Sequence, residues 1–82
     1  MENKSNRYEL LEDIYYIERD KLGKWIPDKD KDYVVGIRLT VDEQNIIYHL
    51  SETDLDVSEH DVFPTLLIAQ YACEARNRKN KP

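Results

Sequence analysis

A chain of 82 residues with 40% hydrophobic side chains has room for one small domain with a thin core, and not for two domains. Its 17 acids against 12 Lys and Arg give a formal charge of −5, which disfavours direct contact with nucleic acid, because phosphate contacts dominate that affinity. With two Gly there is no Gly-rich phosphate loop, and with one Cys there is no internal disulfide.

Met1 to Asn6 is polar and reads as a loose end, as do the last residues from Lys79. Tyr8 to Leu22 supports two readings. As a helix, Leu10, Ile14 and Ile17 share a face, Asn6 and Glu9 form a capping pair, and Gly23 stops it. As a strand, Ile14-Tyr15-Tyr16-Ile17 is a β-branched and aromatic run. The strand is favoured from Asp13, leaving Arg7 to Glu12 undecided. A turn at Asp20-Lys21-Leu22-Gly23 then leads to a short strand at Trp25-Ile26 that Pro27 ends. Asp28 to Asp32 alternates acid and Lys and reads as a solvated loop.

Tyr33 to Val41 is the clearest strand. Val35, Ile37, Leu39 and Val41 alternate on one face, with Gly36, Arg38 and Thr40 on the other. Asp42 to Asn45 is a turn, and Ile46 to Leu50 returns as the second arm of a hairpin. Ser51 to Asp61 reads as a long polar loop, a length at which loops are often functional. Val62-Phe63-Pro64-Thr65 opens a C-terminal helix with Thr65 as its N-cap. Leu67, Tyr71 and Ala75 fall on one helical face, the expected core contact, beside Ile68 and Ala72.

Charge is the sharpest signal. Leu39 to Ala75 contains no Lys or Arg and eight acids, and four basic residues follow from Arg76. A one-signed surface makes a long-range field that selects partners. The expected partner surface is therefore the acidic loop: Glu52, Asp54, Asp56, Glu59 and Asp61. The aromatic face around Tyr16 and Trp25 is the second candidate, although aromatics in strands ordinarily pack into the core.

Other chemistries find no complete motif. Asp28-Lys29-Asp30-Lys31-Asp32 begins like a calcium loop, but Tyr33 stands where Gly is needed and Leu39 where a bidentate Glu is needed. Asp54-Leu55-Asp56 fails in the same way. His49, His60 and Cys73 are too few and too scattered for a zinc site. Cys73 lies deep in a helix, without the setting that activates a thiol. No catalytic, metal or cofactor-binding residue is assigned, and no cofactor is expected. No apolar run approaches the about 20 residues needed to cross a bilayer, and Met-Glu-Asn-Lys lacks a signal-peptide core. The expectation is a cytoplasmic protein with no membrane partner.

The chain resembles small phage and mobile-element proteins at Ile14-Tyr15-Tyr16-Ile17, Val35-Gly36-Ile37, Ile47-Tyr48 and Glu59 to Thr65, with its Phe-x-Thr start to a closing helix. The resemblance implies an SH3-like sheet packed on a helix, and an inhibitor or adaptor role. The expected fold class is thus α+β: one domain, a small curved antiparallel sheet of three to four strands packed against a C-terminal helix. The expected function is non-enzymatic binding to a protein with a basic surface. A sharp version is an inhibitor of a nucleic-acid-acting enzyme, in which carboxylates stand in for phosphates. The competing expectation is a structural protein that self-assembles as a homo-oligomer, its basic tail meeting the acidic loop of another copy.

Overall fold

The computed structural model describes residues 7–42 and 44–79. The segments 1–6 and 80–82, the Asn6–Glu9 capping pair and part of the Asp42–Asn45 turn therefore lie outside the described residues. The architecture is α+β, a curled antiparallel half-barrel with one C-terminal helix. Its strands are β1 (Asp13–Arg19), β2 (Trp25–Pro27), β3 (Asp32–Leu39), β4 (Ile46–Leu50), β5 (Asp56–Ser58) and β6 (Val62–Phe63). A single turn of 3-10 helix, Glu59–Asp61, separates β5 from β6, and α1 spans Leu66–Lys79. The strand order is β2-β1-β3-β4-β5, and β6 returns to pair with β1.

β1 decides the ambiguity of the first segment in favour of the strand. Its alternation is used on both sides. Ile14 and Tyr16 enter the main core with Tyr8, Val34, Ile46, Tyr48, Leu50, Val57 and Val62. Ile17 enters a second, smaller core beneath the helix, with Ala69 and Cys73. The undecided segment before β1 is a turn rather than a helix: Glu12 N–H donates to the Glu9 carbonyl at 3.1 Å. Leu11 follows with a left-handed φ of 69° and donates its N–H to the Val34 carbonyl. The β1–β2 turn forms as the sequence implied. Asp20 Oδ1 accepts from Leu22 and Lys24 N–H at 2.9 Å each, and Gly23 supplies a φ of +81°.

Three expectations need correction. First, the even alternation across β3 is broken by a bulge between Val34 and Gly36. Val34, paired with Leu50, takes the buried place expected of Val35. Ile37 and Leu39 regain the core-side register opposite Tyr48 and Ile46, but at the rim of the sheet, where both stay partly exposed. Val41 lies past the strand and is fully exposed. Second, the long loop from Ser51 to Asp61 contains β5 and the 3-10 turn, and Val62-Phe63 is a strand rather than a helix lead-in.

Third, α1 packs through its small residues. Thr65 caps it, accepting from Ile68 N–H at 3.2 Å. The helix then lies on β1 and β2 through Ala69 and Cys73, four residues apart on one face. Leu67 and Tyr71 point away and are 58% and 61% exposed. Small side chains win the contact because Trp25, Tyr15 and Phe63 already fill the sheet's side of it. The end of the helix is tied down by Asn77, which accepts from Trp25 N–H at 2.8 Å and donates to the Trp25 carbonyl at 3.0 Å.

This packing reverses the usual ranking of helix substitutions. Leu67→Ala should change stability by no more than about 0.5 kcal/mol, as surface changes do. Ala69→Leu should cost about 1–3 kcal/mol, because the added methylenes have no space above Ile17. Urea denaturation of the two variants checks this; a larger loss for Leu67→Ala would refute the helix orientation.

Candidate functional site

The five acids of the expected surface do not stay together. Two of them belong to the protein's internal structure. Glu59 is only 7% exposed, and its Oε2 accepts from the Tyr48 hydroxyl at 2.6 Å and from Arg7 N–H at 2.9 Å. Tyr48 in turn accepts from Tyr8 N–H at 3.1 Å, and the Tyr8 hydroxyl donates to the Val62 carbonyl at 3.2 Å. The two rings meet edge to face, 5.6 Å apart. Burial, reinforced by the Glu59 hydrogen bond, pushes the Tyr48 pKa up to about 12, so the phenol stays a donor. Glu59 thus closes a polar network inside the core. It is therefore not part of the exposed acidic surface expected from the sequence. Asp61 is half-buried and holds Arg76 Nη1 at 2.6 Å.

The aromatic candidates divide likewise. Tyr16 is a core residue, and burial together with its hydrogen bond to Asp28 raises its pKa. Trp25 is half-buried, with the guanidinium groups of Arg76 and Arg19 at 4.5 and 4.9 Å from its ring centroid. Neither presents a free aromatic face. Cys73 is buried, and that burial raises its thiol pKa, so it keeps little thiolate.

Glu52, Asp54 and Asp56 remain as a coherent exposed group on the β4–β5 hairpin. What orders them is a residue the sequence hid at the end of its charged run. Asp32 is 2% exposed, and it reaches across to the loop. One carboxylate oxygen accepts from Glu52 N–H at 2.8 Å and Tyr33 N–H at 2.7 Å. The other accepts from Thr53 N–H and the Thr53 hydroxyl, both at 3.0 Å. Burial works against ionisation here, but these donors outweigh it and hold the Asp32 pKa below the ordinary carboxylate value. The loop's first turn is therefore fastened to the sheet by a buried anion.

His49 organises the rest. It projects from β4 opposite Gly36, where an added Cβ would come within 3.2 Å of the His49 Cβ. Its Nδ1 lies 2.8 Å from Asp56 Oδ1 and its Nε2 lies 2.8 Å from Asp54 Oδ1. Carboxylates only accept, so both contacts are hydrogen bonds when both ring nitrogens carry protons. The Asp56 bond, with that of Asp54, raises the His49 pKa, and Asp56 is lowered in return by His49 and by Arg38 at 3.4 Å. Asp54 reaches the ring from a left-handed backbone, φ 56°, which Asp tolerates better than most residues. Its side chain is still 86% exposed. The sequence named both acids; His49 and Arg38 were missed as their organisers, although both occupy outward positions on their strands.

The chain matches no protein-family model, no curated protein sequence and no solved structure. No described helix is long and apolar enough to cross a membrane.

Two pH effects follow, of opposite sign. The His49 pKa is raised on folding, so its contribution is present at acid pH and lost as pH rises through the folded value. His49→Gln should therefore lower stability at pH 5 and have no effect on it at pH 9. Asp32 is lowered, so its contribution is present above the unfolded carboxylate pKa and lost as pH falls through the folded value. At pH 7, Asp32→Asn should cost about 1–3 kcal/mol, since the buried loop donors lose a charged acceptor. Chemical denaturation across pH checks both; a destabilisation by His49→Gln that is equal at pH 5 and pH 9 would refute the bridging imidazolium.

Proposed function

We propose that this protein is a non-enzymatic binding module of the cytoplasm whose β4–β5 loop presents carboxylates to a basic surface on a partner protein. The observation that carries the proposal is the fastening of that loop by Asp32 through Glu52 and Thr53. A loop held in place before binding loses little conformational freedom on binding. Solubility alone asks only for exposed charge, and a buried carboxylate is an expensive way to position it.

The finer fold assignment belongs to the same proposal. A meander of β3, β4 and β5, then a 3-10 turn, then a short strand returned to β1, is the order of an SH3-like barrel. The phage and mobile-element resemblance adds an inhibitor or adaptor role, with Glu52, Asp54 and Asp56 as phosphate-like acceptors for Arg and Lys on a nucleic-acid-acting enzyme. Glu59 and Tyr16 are withdrawn from the binding surface because they are buried, and Asp61 and Trp25 flank it through their arginine contacts.

A second reading has its own observation. Leu67, Ile68 and Tyr71 are all exposed on α1, one turn or more from the cations Arg78 and Lys79. Large exposed apolar side chains suit self-association. Sedimentation equilibrium distinguishes this case: a mass that rises with concentration, and is restored to the monomer by Leu67→Lys, would favour it.

The acidic-surface proposal makes a direct demand on salt. Exposed charges are screened over about 10 Å at 0.1 M salt. Affinity for an isolated partner should fall as salt rises, and Glu52→Lys, Asp54→Lys and Asp56→Lys together should abolish it with the fold intact. Calorimetry at two salt concentrations measures this. Salt-independent binding that survives the triple change would refute the proposal.

A further inference from the structure

The half-barrel does not close between β1 and β5. β5 pairs with β4 alone and ends the strand order. The Leu55 carbonyl accepts from Leu50 N–H at 2.9 Å, so Leu55 and, two residues on, Val57 turn their backbone groups towards β4. Asp56 and Ser58 turn theirs to the other edge, where no described strand pairs with them. On the facing side, the pairing of β6 along β1 stops at Tyr16, and Ile17 to Arg19 pair only with β2. Between the two lies an open groove of about 300 Å³, walled by Glu18 and Arg19 on one side and Leu55 and Asp56 on the other.

The charge around this groove chooses among occupants. Glu18 and Asp56 are exposed along it and Asp54 is exposed two residues before Asp56, while Arg19 is turned onto the Trp25 ring. An acidic segment would be repelled. A second copy pairing β5 to β5 would bring Asp54 and Asp56 of both chains together, and like charges at an edge oppose such pairing. An extended segment with Lys or Arg beside small apolar residues satisfies both the backbone and the carboxylates, and Leu55, 43% exposed, offers it apolar contact.

We propose that this seam binds an extended basic peptide segment, which adds to β5 as a further strand by hydrogen bonding to Asp56 and Ser58. The inference rests on the acidic-surface reading and names how that surface is engaged. Main-chain bonds supply the register and the carboxylates supply the selection.

The test uses the full chain, labelled with nitrogen-15, and an eight-residue peptide alternating Lys and Val. Two control peptides are the Glu–Val counterpart and the Lys–Val peptide N-methylated at alternate backbone positions. Ser58→Pro completes the set. Ser58 has φ −64°, which proline adopts, and its outward N–H is not part of the β4 ladder, so the variant deletes one edge donor, together with the hydroxyl that accepts from His60 N–H, and leaves every acid in place. The Lys–Val peptide should shift the amide signals of Arg19, Asp56 and Ser58 and slow exchange at Asp56 and Ser58. N-methylation and Ser58→Pro should each weaken binding by about tenfold, the scale of one lost main-chain hydrogen bond. Equal binding by the N-methylated peptide, or by Ser58→Pro with an otherwise unchanged spectrum, overturns strand addition while leaving the acidic-surface reading standing. Equal binding by the Glu–Val peptide overturns the charge argument. Absence of any shift at the loop or the edge, at low salt, overturns both.

Discussion

Two carboxylates removed from water set the terms for the rest of this small domain. A buried anion is tolerated only where the surrounding chain supplies donors, and Asp32 and Glu59 each draw theirs from a distant segment. Asp32, at the start of β3, recruits Glu52 and Thr53 from the β4–β5 loop. Glu59, after β5, recruits Tyr48 from β4 and the backbone of Arg7 before β1. With so thin an apolar core, these two anchors fix segments that hydrophobic contact alone would leave loose. They also explain why the acidic middle of the chain is not a uniform solvated surface: part of its charge is structural.

β1 carries a comparable burden. It is paired in turn with β3, β6 and β2 and is covered by α1. Its inward residues belong to the barrel core, and Ile17 belongs to the core under the helix. The helix brings the basic end of the chain back to the β1–β2 hairpin, where Arg76 reaches Trp25, Asp61 and the His60 carbonyl together. The basic end is therefore partly spent on internal contacts. The exposed acids Glu52, Asp54 and Asp56 keep their field, since among the described residues only Arg38 and His49 compensate them locally. That local excess of exposed acids on the β4–β5 loop is the physical basis for proposing a basic partner.

Much of this arrangement was legible in the sequence, for a definite reason. Strands and turns are specified by neighbours within a few residues. The run at Ile14–Ile17, the Asp20–Gly23 turn, the β3–β4 hairpin and the Thr65 cap all rest on period-two alternation or on local hydrogen bonds, and all are present in the fold. The exposure of Asp54 and Asp56 was legible too, because short acids beside one another in a loop have no local means of escaping water. What only the tertiary structure decided are the relations between segments. The Val34–Gly36 bulge flips which β3 residue is buried and sets Gly36 opposite His49, which cannot be read from β3 alone. The face α1 presents is set by the bulk of Trp25, Tyr15 and Phe63 on the sheet, so small residues pack and Leu67 is left outside. Asp32 and Glu59 look like any other acids in a charged run, and their burial depends on donors 20 and 52 residues away. Periodicity reports what a residue's near neighbours allow; which carboxylate leaves water is settled only when the chain folds back to supply its partners.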